Sequence, residues 1–202
     1  MWKKNKYKVI KKCISEEICN FTYTHLLMKQ NVVKILFDRK DIPLYSQEWG
    51  YYKDPQVPNT YSTYGDLVME QLLIKLKTKI EKSIGIKLIE NYSYARLYKK
   101  YDILKRHIDR YSCEYSVTLN LGGDKWPIYL KSNNKEIKVT LSPGDMLVYR
   151  GCELEHWREP FMGNVCGQVF LHYNSKDDEN KWDGRPCLGY PFPIKVNRNP
   201  KK

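Results

Sequence analysis

The sequence predicts a mainly β domain with flanking helices, an α+β chain whose strands close into a sandwich or barrel. Two observations lead there. From residue 86 onward, short runs rich in Val, Ile, Tyr and Thr are punctuated by the turn clusters Gly122-Gly123-Asp124, Asn133-Asn134 and Ser142-Pro143-Gly144-Asp145. Ahead of them lie two stretches with helical spacing of apolar residues, placed early enough to pack on one face of the strands.

Residues 7–10 alternate as a short strand. Ser15 can then cap a helix through Gln30, with Glu16 and Glu17 in its positively polarised first turn and Ile18, Phe21, Leu26 and Leu27 as a rough stripe. Residues 40–64 show no sustained period and read as a long ordered loop, a length often tied to function. The clearest helix is 66–84, where Leu67, Leu73, Leu76 and Ile80, flanked by Met69, Leu72 and Ile84, form a wide apolar face ended by Gly85. Strands are expected at 92–98, 103–108, 114–121, 127–131, 136–141, 146–150, 154–158 and 165–173. The last stretch, 174–202, reads as an extended surface tail with four prolines.

A chain of 202 residues with 42% hydrophobic residues suits one domain with a real core. We divide it into helical support and loop over 1–90, a β core over 91–174 and a tail over 175–202. No apolar run approaches a membrane span, and the basic N-terminus lacks the apolar segment of a signal peptide. A soluble cytoplasmic protein is expected, with no membrane partner. The six cysteines form no CxxC pair, which argues for buried free thiols rather than a zinc cluster. The net charge of +12 could steer nucleic acid or acidic substrates, but the lysines are spread along the chain with clusters at its two ends.

The chemistry concentrates in His107-Ile108-Asp109. On a strand, residues two apart share a face, so both side chains can aim at one point. His156 follows 49 residues later, after the Pro143-Gly144-Asp145 turn. Two imidazoles and one carboxylate on one side of an ion leave adjacent positions open, which suits Fe(II) binding an oxidisable cosubstrate and dioxygen together. The short motif also has plainer readings. A strand histidine is usually structural, Asp109 can pair with Arg106 or Arg110, and the same ligands could serve a zinc hydrolase, although no HExxH motif supports one. His25, inside the first helix, reads as a surface or core-edge residue, and His172 as structural.

With Tyr94-Ala95-Arg96-Leu97-Tyr98 preceding the HxD motif, and Tyr149-Arg150-Gly151 leading to His156-Trp157-Arg158, the chain resembles the Fe(II)/2-oxoglutarate-dependent oxygenases. It looks most similar to viral and microbial members of the prolyl-hydroxylase-like branch, over about residues 60–174. The resemblance implies a double-stranded β-helix (jelly-roll or cupin-like) core and iron on His107, Asp109 and His156. It also implies 2-oxoglutarate as cosubstrate, with oxidative decarboxylation to succinate and hydroxylation of a C–H bond. The family needs a cation for the remote carboxylate of 2-oxoglutarate, yet the usual positions hold Val165 and Cys166. Arg158, two residues past His156, is the first substitute. Lys125, spaced from His107 like the lysine of jumonji-type relatives, is the second, and Arg150 is a third. Tyr98 matches the tyrosine that related hydroxylases place beside the cosubstrate. Ser116, Thr118 and Asn120 share a strand face that could line the pocket, and Gln168 could hold a carboxylate through its amide.

A peptide or protein side chain is the favoured substrate, then a free amino acid or other small metabolite. Nucleic-acid demethylation would use the positive charge, but 165–175 contains no arginine. A non-catalytic binding module on the same fold is the alternative from another class.

Overall fold

Alternation along three long strands organises the molecule. In the computed structural model, which describes residues 2–46 and 48–176, the helices are α1 (Trp2–Asn5), α2 (Glu16–Asp38) and α3 (Leu67–Ile84). The early strands are β1 (Tyr7–Ile10), β2 (Tyr45–Ser46), β3 (Gly50–Tyr51), β4 (Tyr61–Tyr64), β5 (Leu88–Lys99) and β6 (Leu104–His107). The later ones are β7 (Tyr115–Gly123), β8 (Ile128–Ser132), β9 (Lys135–Val139), β10 (Met146–Arg150), β11 (His156–Arg158) and β12 (Val165–Ser175). They form two antiparallel sheets. The larger runs β1-β10-β7-β12-β5-β4-β3-β2 and the smaller runs β6-β11-β8-β9.

Because successive side chains on a strand point to opposite faces, the central strands sort their residues cleanly. Val117, Leu119, Val148, Val169 and Leu171 face the helices and share one apolar cluster with Leu72, Leu73, Leu76 and Ile80 of α3. The alternate positions carry Tyr94, Tyr98, Cys166 and Phe170, which form a second cluster with Trp126 and Phe161. Between these apolar anchors the same face holds the buried polar side chains Arg96, Ser116, Thr118, Gln168 and His172. A buried sheet face with this many polar groups is a site face, since each group needs a partner or a ligand.

The architecture is the mainly β one with flanking helices, and three local expectations change. Helix α2 continues to Asp38 instead of stopping near Gln30, because Val33 is fully buried against the core and tertiary packing overrides the weak helix propensity of Asn31-Val32-Val33. The 40–64 loop contains β2, β3 and β4, which extend the large sheet beyond β5. Strands of two to four residues are too short to show a period, and their pairing partners lie elsewhere in the chain. Residues 1–90 therefore supply sheet as well as helix, including β1 at the opposite edge against β10. The tail over 177–202, with Cys187, lies outside the described residues. Cys13, Cys19, Cys113 and Cys166 are buried free thiols, and Cys152 is a partly exposed one. Among the described residues, no helix is long and apolar enough to cross a membrane.

One buried carboxylate ties the two long helices together. Asp66 caps α3 by accepting from the backbone N–H groups of Val68 and Met69, and it also accepts from Lys29 Nζ at 2.7 Å and His25 Nε2 at 3.0 Å on α2. Burial alone would raise its pKa, but the His25 hydrogen bond and the Lys29 charge outweigh burial and hold it well below the usual carboxylate range. A carboxyl with a depressed folded-state pKa stabilises the fold above its unfolded value of about 3.9, and that contribution disappears as pH falls toward the folded value. Asp66→Asn should therefore lower the unfolding free energy at pH 7 and flatten its fall below about pH 4, as measured by urea denaturation across pH.

Candidate metal centre

His107 ends β6, and His156 begins β11 directly opposite it in the small sheet. That pairing sets the imidazole centroids 4.2 Å apart. Each ring is oriented by a carbonyl two residues earlier in the chain: His107 Nδ1 donates to the Lys105 carbonyl at 2.7 Å and His156 Nδ1 donates to the Leu154 carbonyl at 2.9 Å. Both Nε2 atoms therefore present lone pairs. Burial and the neighbouring His156 also lower the pKa of His107, favouring the neutral ring that a metal requires.

Asp109 completes the cluster, with Oδ1 at 3.7 Å from His107 Nε2 and 3.6 Å from His156 Nε2. All three ligand atoms lie within 4.8 Å of one another. Donors bonded at about 2.1 Å to one ion at right angles stand about 3 Å apart, so a small contraction brings these three to an ion. Burial would raise the Asp109 pKa, but the histidines and Ser116 outweigh it and hold the carboxyl ionised. One carboxylate and two neutral imidazoles on one side of an ion are a donor set that fits Fe(II).

The placement of Asp109 depends on close packing. Its N–H donates to the Gly151 carbonyl at 2.8 Å, and Ser116 Oγ donates to Asp109 Oδ2 at 2.6 Å. His172 Nδ1 lies 3.1 Å from the same hydroxyl. Since Ser116 spends its single proton on Asp109, His172 Nδ1 must donate, which makes His172 a brace for the carboxylate rather than a remote structural residue. Burial pulls the His172 pKa down to about 4, so the brace is neutral near pH 7. A Cβ at Gly151 would collide with Asp109 Oδ2, the Cys113 carbonyl and Ser116 Oγ, so only glycine fits there.

The centre opens on a cavity of about 700 Å³. Tyr92, Tyr94, Arg96 and Tyr98 of β5 line it, with Arg110 and Phe170 nearby. Tyr98 is fully buried at the cavity wall. Arg158 is fully buried and stands one side chain deeper, beside Tyr98 and Tyr149, which do line the cavity. Its guanidinium donates to the Trp126 carbonyl and reaches Thr118 Oγ1 at 3.4 Å and Gln168 Oε1 at 3.5 Å, while its Nε has no hydrogen-bond partner among the described residues. Among the described residues, no carboxylate pairs with it, and burial lowers its pKa.

The other candidates are placed differently. Lys125 is exposed in the turn between β7 and β8 and does not line the cavity. Arg150 is engaged by Glu114 at 3.0 Å and by Glu153. Asn120 shares the inward face but sits too far along β7, donating to the Leu141 carbonyl at the 142–145 turn. Thr118 lies beside Arg158 and donates to Gln168 Oε1 at 3.1 Å. The amide of Gln168 is thus engaged, its Nε2 reaching Cys166 Sγ.

The sequence reading overlooked Arg96, Asp54 and Gln56. Arg96 was legible by parity, since it lies two residues from Tyr98 on the same strand face. It is buried and pairs with Asp54 at 2.9 Å, the carboxylate also accepting from the Tyr94 hydroxyl at 2.5 Å. Asp54 and Gln56 lie in the segment between β3 and β4, and nothing local shows that it crosses the cavity.

The fold has well-defined counterparts. A prolyl-4-hydroxylase from Pseudomonas putida superposes with a TM-score of 0.67 at 13% identity, covering 86% of this chain and 94% of that one. HygX from Streptomyces hygroscopicus, solved with nickel, 2-oxoglutarate and hygromycin B, gives 0.64 at 12% identity over 87% and 85%. A prolyl hydroxylase from Trichoplax adhaerens, solved with a hypoxia-inducible-factor peptide fragment, gives 0.62 at 13% identity over 88% and 87%. No family model and no curated protein sequence matches the chain. The chain thus shares the fold of these proteins, a double-stranded β-helix core with flanking helices. On it, a His-Asp-His cluster faces a tyrosine-lined cavity.

Because Ser116 and Gly151 would act on a bound metal only through Asp109, their substitutions separate placement from ligation. Ser116→Ala should weaken Mn(II) binding about tenfold and Gly151→Ala about a hundredfold, by the range typical of residues that orient metal ligands. Isothermal titration of the metal-free protein, with circular dichroism to verify folding, provides the check.

Proposed function

We propose that this protein is an Fe(II)- and 2-oxoglutarate-dependent dioxygenase that hydroxylates a C–H bond of a peptide side chain or a small molecule. The convergence of His107, Asp109 and His156 from β6, the following turn and β11 carries the reading. These three would hold the iron. Iron with 2-oxoglutarate and dioxygen supplies the oxidation, giving succinate, carbon dioxide and a hydroxyl group in place of the substrate hydrogen.

The chain's own residues supply position and charge. Arg158 is the favoured anchor for the remote carboxylate of the cosubstrate: a buried guanidinium without an acid is costly, and an anion arriving beside it offsets that cost. Cys166 of β12 lies close enough to the guanidinium to interact with it electrostatically. Thr118 and Tyr98 stand near enough to share that carboxylate. Tyr92, Tyr94 and Phe170 give the substrate side of the cavity an aromatic surface that suits a peptide or a cyclic small molecule. The neighbours solved with a peptide fragment and with hygromycin B support both choices. The positive charge leaves nucleic acid a lesser reading.

His107→Ala and His156→Ala should each abolish stoichiometric Fe(II) binding while the protein stays folded, measured by anaerobic titration. Arg158→Met should weaken 2-oxoglutarate binding about tenfold to a hundredfold without loss of iron, a range expected for a charge-assisted pair. Unchanged cosubstrate affinity would move the anchor to Arg96. A visible charge-transfer band on adding 2-oxoglutarate, followed by succinate release, supports the enzyme. Iron uptake without band or succinate would mean a binding module on the same fold.

A further inference from the structure

The segment between β3 and β4, residues 52–60, forms a strap across the cavity wall. Val57 is buried in the interior apolar cluster, and Thr60 Oγ1 donates to Asp102 at 2.6 Å. At the centre of the strap, Asp54 is bound to Arg96 and Tyr94, and its other oxygen accepts the Gln56 N–H at 2.7 Å. Burial would raise the Asp54 pKa, yet Arg96 and these hydrogen bonds outweigh burial and keep it ionised. This latch holds the backbone at Gln56, and Arg96 holds the side-chain oxygen of that exposed residue.

Gln56 points at the metal centre. Its Nε2 lies 2.9 Å from His107 Nε2, while its Oε1 accepts from Arg96 Nη1 and Nη2 at 3.4 Å. Reversing the amide would set NH2 against a guanidinium that can only donate, so the orientation follows from Arg96. His107 uses its Nδ1–H on the Lys105 carbonyl, which leaves one lone pair at Nε2. A lone pair accepting an amide proton cannot also bind a metal.

We propose that Gln56 is a gate on metal uptake: its amide and the metal compete for His107 Nε2, and the latched strap passes the outcome to the cavity wall. The proposal rests on the metal-dependent reading above. By linkage the coupling runs both ways. Whatever holds the strap on His107 weakens metal binding, and a substrate that draws Gln56 aside tightens it. Metal loading frees the amide beside Arg96, on the wall that a substrate meets.

The test titrates the full metal-free chain with Mn(II) and follows hydrogen–deuterium exchange in residues 52–60. Gln56→Ala should bind Mn(II) about two- to fivefold tighter than the natural protein, the value of one exposed hydrogen bond. Gln56→Asn, one methylene too short to reach His107, should do the same. Mn(II) should speed exchange around Gln56 in the natural protein and leave it unchanged in both variants. Equal or weaker Mn(II) binding by the variants, with no metal-dependent exchange in the natural protein, overturns the gate and leaves the metal centre standing. Folded natural protein that binds no Mn(II) or Fe(II) overturns both.

Discussion

The register of two short strands governs this molecule. His107 meets His156 across the small sheet, and a slip of one residue in β6 or β11 would turn an imidazole to the opposite face. A bulge follows at once, setting Arg158 opposite Leu104 instead of Lys105. Such an extra residue bends the strand locally and re-aims the side chains on either side. Three-residue β11 is too short to hold this register alone, and β8 on its far side pins it through Leu130 and Tyr129.

The larger sheet turns the same alternation into a division of labour. One face of β5, β7 and β12 is apolar and lies under α2 and α3, where burial of Val, Leu and Ile supplies the main stabilisation. The other face pays for function with polar groups that the core would otherwise exclude. Asp54 offsets the charge of Arg96, and Ser116 and His172 brace Asp109. Arg158 differs: among the described residues no carboxylate pairs with it and its Nε has no hydrogen-bond partner. A buried cation of this kind is costly unless an anion offsets it.

The strap links these themes. It completes the large sheet through β3 and β4, covers the cavity, and touches the metal centre through Gln56. Sheet edge, latch and His107 therefore lie in one continuous set of contacts along the cavity wall.

Much of this was legible in the chain itself. Alternation along a strand groups Ser116 with Thr118 and Arg96 with Tyr98, whereas Asp109 lies beyond the end of β6 and meets His107 through the turn that follows. The wide apolar face of 66–84 and its Gly85 stop gave α3 within a residue, because a local pattern sets both. What parity cannot supply is position along a strand or the identity of a distant partner. Asn120 and Lys125 looked like pocket residues and lie outside the cavity, while Arg150 is consumed by Glu114. By itself, then, the sequence determined which side chains of one strand can share a face. Tertiary structure decided which cation is left without an acid and which loop crosses the site, because buried charge pairs are set by packing between segments far apart in the chain.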